Sequence, residues 1–294
     1  VEMWAPMFAI VNYLQTLSFG KSAAGAGFLP GSGDTGLSVL TASAIYTESV
    51  SSLATTAWMV TFVPVLAAAV VFGFDRIMMD AGWSNTKDLF DINPNLNMDT
   101  LAAYARQQGI KLSMWTLAMT LDKQLDSALK QFQKWGVDFI MTDFIDRDDQ
   151  PAVNFHTRIA QACADAKIMI MFHGSYPPKG FNRTWPNCIT KEAVLGSEYN
   201  AWSDKPTASH NCIIPFTRML AGPLDYEPGL LDNATPQQFK PIWGKVMSQT
   251  TRCQQLALFV VYDNPLQIFS GNPSQGYLEP KFMELLGSIP TTWD

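Results

Sequence analysis

Residues 135–151 read WGVDFIMTDFIDRDDQP, and the order of residue types in this stretch decides the fold. Upstream of it, Leu121, Leu125, Ala128, Leu129 and Phe132 recur at helical spacing, which predicts a helix with Thr120 as its N-cap. Residues 137–144 (VDFIMTDF) then form a short apolar run that ends in an acid, the pattern of a buried strand. Pro151 fits the first turn of the next helix, whose predicted apolar face is Val153, Ile159, Ala160 and Cys163. Helix, strand, loop and helix in this order imply parallel strands joined by crossover helices.

The same rhythm extends in both directions. Towards the N-terminus, residues 110–115 (IKLSMW) predict a strand. A helix over 99–108 precedes it, with Leu101, Tyr104 and Ala105 on one face and Gly109 as its stop. Residues 74–80 (FDRIMMD) predict another strand that ends in an acid. Towards the C-terminus, residues 168–173 (IMIMFH) predict a fourth strand, and further strands are expected at 187–192, 211–216 and 266–270. Residues 249–262 read as helix. About seven strands are one short of a closed (β/α)8 TIM-type barrel. The missing strand is expected within residues 1–70, so the barrel is expected to be incomplete or irregular in its N-terminal part.

Charge divides the chain unevenly. Before Asp75 the charged residues are Glu2, Lys21, Asp34 and Glu48 alone. We therefore divide the chain into an atypical low-charge segment, residues 1–67, and a catalytic barrel, residues 68–294. The apolar stretch from Ala57 to Phe74 is long enough to span a bilayer. However, Pro64 interrupts it and no basic cluster flanks it, so it is only a weak transmembrane candidate. A buried barrel helix or a segment foreign to the rest are the other readings. The start of the chain has no basic region followed by an apolar one, so no signal peptide is read there. The net charge of -6 and the lack of like-charge runs argue against a nucleic-acid partner. Cys163, Cys188, Cys212 and Cys253 have no metal-binding spacing and are expected as buried thiols.

In barrels of this type the chemistry sits at the carboxyl ends of the strands. Those ends carry Asp80, Trp115, Asp143, His173 and Glu192, with Glu198 just beyond. Each acid alone reads equally well as a helix cap or a solvated loop residue. Together they converge on one mouth, and a pair of carboxylates there suits glycoside cleavage. Asp146, Asp148 and Asp149 precede Pro151, and most of them are expected to cap the helix that follows. Arg147 is expected to pair with them or with Glu198. Arg183 is expected to brace the loop that carries the acids. The methionines Met78, Met79, Met169 and Met171 are expected in the core.

Several longer runs carry a more specific signal: MMDAGWS (78–84), FHGSYPPKGFNRTWPN (172–187), KEAVLGSEYNAW (191–202), PFTRMLAGPLDYEPG (215–229) and YDNPLQIF (262–269), besides WGVDFIMTDFIDRDDQ (135–150). Over residues 68 to 294 they resemble glycoside hydrolase family 97, a bacterial family of α-glucosidases and α-galactosidases. The resemblance implies a retaining exo-α-glycosidase, most simply an α-galactosidase. Asp143 matches the nucleophile that carries the covalent glycosyl intermediate, and Glu198 matches the acid/base. Gly174, after His173, matches the retaining branch, because inverting members carry a Glu base there. Asp80 and Trp83 match positions that contact sugar hydroxyls. Trp115, His173 and Arg147 are further substrate-binding candidates, although core packing accounts equally well for Trp115.

The resemblance also implies calcium, with Glu192 and Glu198 as metal ligands, although Gly174 removes one carboxylate used by inverting members. Met141 stands where related barrel glycosidases often carry a Lys. The implied partner is an oligosaccharide or other α-glycoside, and the implied location is periplasmic or secreted. An α-glucosidase on the same site is the nearest alternative. A saccharide-binding or inactive truncated barrel is the alternative from another class.

Overall fold

The computed structural model describes residues 68–243, 246–270 and 273–292. The expected missing strand, and the low-charge segment up to residue 67 with most of the transmembrane candidate, lie outside the described residues. No helix among the described residues is long and apolar enough to cross a membrane.

The centre of the fold is a five-stranded parallel sheet. β1 (Arg76–Met79), β4 (Lys111–Leu117), β5 (Phe139–Asp143), β6 (Met169–Phe172) and β7 (Cys188–Lys191) lie side by side in chain order. Each pairs in parallel with the next. Helices pack against the sheet, and consecutive residues along the strands are buried, so they read as continuous apolar runs. Phe139, Ile140, Ile170, Met171 and Phe172 are all fully buried. Burying side chains of this size stabilises the fold by about 1.5–3 kcal/mol each.

The crossover helices start and stop where the local chemistry requires. α1 (Met98–Gln107) begins at Asn97, whose side chain accepts a hydrogen bond from Thr100 N at 3.0 Å. α2 (Ala118–Trp135) ends at Gly136, whose left-handed backbone (φ 79°) closes the helix. α3 (Gln150–Asp165) has Asp149 as its N-cap and Pro151 in its first turn, as expected. Two details differ from expectation. Thr120 lies inside α2 and donates its hydroxyl to Thr86 O, and the cap position is Leu117. Val153 faces solvent, while Ala152 and His156 join Ile159, Ala160 and Cys163 on the buried face of α3.

The regular rhythm breaks after β7. Residues 211–216 are not a strand: α4 (Ala208–Ile213) and a 3-10 turn (Ile214–Phe216) occupy them. Thr207 caps the helix, and Pro215 has no N–H for a central strand. Residues 266–270 also form no strand, because the Asn264 side chain turns the chain by accepting from Leu266 N at 3.0 Å. The sixth sheet position falls instead at Leu224, which bridges Lys191 in parallel and donates its N–H to Asp263 O at 3.1 Å. Among the described residues the sheet does not close into a ring. The helix expected over 249–262 is present as α5 (Arg252–Val261).

A two-stranded hairpin, β2 (Ser84–Asn85) with β3 (Asp88–Ile92), follows β1 and was not anticipated. Cys163 and Cys188 are buried as expected, but Cys212 and Cys253 are exposed, on the helices Ala208–Ile213 and Arg252–Val261.

Candidate active site

Asp143 ends β5, and the backbone turns sharply after it. Phe144 (φ 60°) and Asp146 (φ 46°) adopt the left-handed conformation, which is uncommon outside glycine and concentrates at functional sites. One carboxylate oxygen, Oδ1, accepts from Phe144 N at 2.5 Å. The other, Oδ2, accepts from the indole N–H of Trp115 at 3.2 Å. Both oxygens are therefore oriented, one by its own loop and one by the end of the neighbouring strand. Trp115 is buried, with its ring edge-on to Phe144.

β6 delivers His173 and Gly174 beside this loop. A Cβ on Gly174 would lie 3.1 Å from Asp143 Oδ1 and 3.0 Å from Phe144 N, so any larger residue would crowd the carboxylate and its loop. Gly174 O accepts from Asp146 N at 2.6 Å, and Gly174 N donates to Glu192 Oε2 at 2.9 Å. One glycine thus joins the Asp143 loop to the acid at the end of β7.

A dense carboxylate cluster lies on the far side of Gly174. The His173 ring is paired through Nε2 with Asp225 Oδ2 at 2.8 Å, and its Nδ1 is 3.9 Å from Glu192 Oε2. Asn264 donates to the other oxygen of Asp225 at 3.3 Å. The His173, Asp225 and Glu227 side chains have ligand atoms within 4.8 Å of one another. Glu198 sits on a 3-10 helix (Ser197–Ala201) and hydrogen-bonds Glu192. That helix is fixed to the next loop by Ser197 N, which donates to Tyr226 O at 2.8 Å. A Cβ on Gly196 would come within 3.0 Å of the same carbonyl.

This crowding sets the protonation states. Burial, reinforced by Glu227 and Glu192, pushes the Glu198 carboxyl up to about 9, so it carries a proton at neutral pH. Burial and the Glu227 charge raise Asp225 to about 6. Burial alone would lower His173, but Glu192, Asp225 and Glu227 together hold it well above 6.5. Asp80 is raised by burial and feels both His173 and Asp143. Tyr199 is raised by burial and then by Glu192, Glu198, Asp143 and Asp146. Asp80 and Tyr199 therefore border the same mouth as the two carboxylate groups.

Of the residues singled out from sequence, the fold brings Asp80, Trp115, Asp143, His173, Glu192 and Glu198 together. It leaves Trp83 and Arg147 off the mouth that these residues line. Trp83 is buried, its ring edge-on to Phe132 and Trp135, and its N–H donates to Trp115 O at 2.7 Å. It supports Trp115 from behind. Arg147 is exposed and paired with Asp149, the helix cap. Met141 is core. Arg183 is exposed, and Arg218 braces the acid-bearing segment instead. Its guanidinium donates to the carbonyls of Glu192, Lys191, Gly222 and Pro223 at 2.8–3.1 Å.

Asp225, Glu227 and Arg218 were missed as site residues. All three lie in the run PFTRMLAGPLDYEPG, where Gly222-Pro223 and Pro228-Gly229 hide the single strand-like bridge at Leu224.

The sequence description of the family Glycoside hydrolase 97 matches residues 46–194, about half of the chain. The chain belongs to glycoside hydrolase family 97. The family match begins before the runs quoted above and takes in the apolar stretch from Ala57 to Phe74. Among curated relatives, the family 97 chain is 33% identical over 226 residues to a retaining alpha-galactosidase of Bacteroides thetaiotaomicron, covering 76% of this chain and 34% of the relative. It is 30% identical over 229 residues to a probable retaining alpha-galactosidase of Streptomyces bingchenggensis, covering 76% and 34% respectively. Among solved structures, it resembles a family 97 enzyme of Pseudoalteromonas sp. strain K8 in complex with panose. That likeness has a TM-score of 0.69 and 27% identity, and covers 78% of this chain and 39% of the other. The chain spans about a third of the length of the curated relatives it matches. The likeness to these structures places the parallel α/β sheet in a TIM-like catalytic domain.

Proposed function

We propose that this family 97 chain carries the catalytic site of a retaining exo-α-galactosidase. The observation that carries the reading is the fit between Gly174 and Asp143: the glycine vacates the space that the Asp143 carboxylate fills. A retaining mechanism needs a nucleophile there, and a side chain at position 174 would press on it, with its Cβ 3.1 Å from Asp143 Oδ1.

In the proposed reaction, Asp143 attacks the anomeric carbon while Glu198 gives its proton to the glycosidic oxygen. The leaving sugar departs as an alcohol, and a β-linked glycosyl ester forms on Asp143. Glu198, now ionised, takes a proton from water, which attacks the ester and frees the sugar and Asp143. Trp115 orients Asp143 throughout. Burial first, and then the charges of Glu227 and Glu192, keep on Glu198 the proton that the first step requires. Asp80 and His173 border the space where sugar hydroxyls would sit.

Calcium, which the family resemblance implies, would be held by the oxygens of Glu192 and Glu198, beside the His173, Asp225 and Glu227 group whose ligand atoms lie within 4.8 Å of one another. When bound, it would orient substrate oxygens near the leaving group.

The named activity of the two curated relatives favours galactosides. A second reading, an α-glucosidase on the same residues, is favoured by the solved relative in complex with panose. Hydrolysis rates on 4-nitrophenyl α-galactoside and α-glucoside separate the two. The mechanism itself is tested by Asp143→Gly. It should abolish turnover, and azide should partly restore it by occupying the vacated space. Normal activity of Asp143→Gly would overturn the reading.

A further inference from the structure

Beyond the acids, the 3-10 helix that carries Glu198 has a second feature. A 3-10 helix repeats every three residues, so side chains at i and i+3 eclipse. Tyr199 and Trp202 are so related, and their ring centroids lie 5.3 Å apart. Trp202 in turn faces Trp243, again at 5.3 Å, with the planes 31° apart. The three rings form a row that starts beside the acids and runs outward. Tyr199 is partly buried, Trp202 is 46% exposed and Trp243 is 62% exposed.

The row is held in place from beneath. Ala201, Leu230 and Val246 form a small buried cluster that ties the 3-10 helix to the segment after Trp243. Gln249 Nε2 donates to Asp204 O at 2.6 Å, which joins the same two segments. Two large indoles left in water on a fixed support, contiguous with a mouth lined by acids, have the makeup of a ligand platform. Aromatic faces carry a negative quadrupole that suits the C–H faces of pyranose rings.

We propose that Tyr199, Trp202 and Trp243 form a stacking track for the leaving-group end of an α-linked oligosaccharide. The direction follows from Glu198, which precedes Tyr199 and which the proposed function makes the donor to the leaving oxygen; the inference rests on that reading. The track binds successive sugar rings beyond the cleaved bond and adds affinity for oligosaccharides over single sugars.

The test uses the full chain and a thio-linked α-trisaccharide that cannot be cleaved, with galactose as the single-sugar comparison, both by titration calorimetry. Trp243→Ala should weaken trisaccharide binding about tenfold more than galactose binding, and Trp243→Phe should recover most of the loss. Trp202→Ala should act in the same sense. Equal changes for both ligands, or none, would overturn the track. The readout needs no turnover, so failure of the catalytic reading appears separately, as undiminished hydrolysis by Asp143→Gly.

Discussion

The Cα of Gly174 lies so close to Asp143 that a methyl group on it would stand 3.1 Å from the carboxylate oxygen Oδ1. The glycine also has a left-handed backbone (φ 50°), so a side chain there meets both a tight contact and an unfavourable conformation. Gly174→Ala should therefore lower stability by roughly 1–2 kcal/mol. It should also lower kcat by about a hundredfold through displacement of Asp143. Urea denaturation and steady-state kinetics on an α-glycoside check both. Unchanged kcat would mean that Asp143 has no role needing that space.

Trp115 connects the sheet to the same carboxylate through its indole N–H. Trp115→Phe keeps most of the ring and removes the donor. A hydrogen bond to a charged group is worth about 1.5–3 kcal/mol, so kcat/KM should fall roughly ten- to a hundredfold. KM for the substrate should move less than kcat if the loss is in orienting the nucleophile.

Much of this arrangement was legible in the sequence because it depends on local pattern. The run VDFIMTDF marked a strand with an acid at its end, and the helical spacing of Leu121 to Phe132 and the position of Pro151 marked the helices on either side. Five parallel strands followed from that rhythm, and so did Asp80, Trp115, Asp143, His173 and Glu192 at their ends. Trp83 misled because an aromatic next to a strand-end acid reads the same whether it points to the mouth or, as here, into the core. Asp225 and Glu227 were invisible because the sixth sheet position is a single bridge at Leu224 set between Gly-Pro and Pro-Gly pairs, with no alternation to detect. The contact of Asp225 with His173 joins residues 52 positions apart, which no local pattern encodes.

The acid/base has a pH signature. Glu198 is held up to about 9 by burial first and by Glu227 and Glu192 next. It is protonated and competent as a donor below that value. Activity on substrates with poor leaving groups should therefore fall as pH rises through about 9. Glu227→Gln removes one repelling charge and should move this alkaline limb to lower pH. A limb at the same pH in the variant would show that Glu227 does not act on Glu198.

Calcium should stabilise the folded chain if Glu192 and Glu198 hold it, because a ligand that binds only the folded state raises Tm. Added calcium should raise Tm, and Glu192→Gln should remove most of the rise. A rise of equal size in the variant would place the ion elsewhere.

The central claim is a covalent bond between a sugar and Asp143. A 5-fluoro-α-galactosyl fluoride forms such an ester quickly and loses it slowly, so mass spectrometry of the digested protein reads the attachment point. The account predicts one added fluoroglycosyl group on the peptide that contains Asp143. A label on another residue, or steady turnover with no labelled peptide, would contradict it.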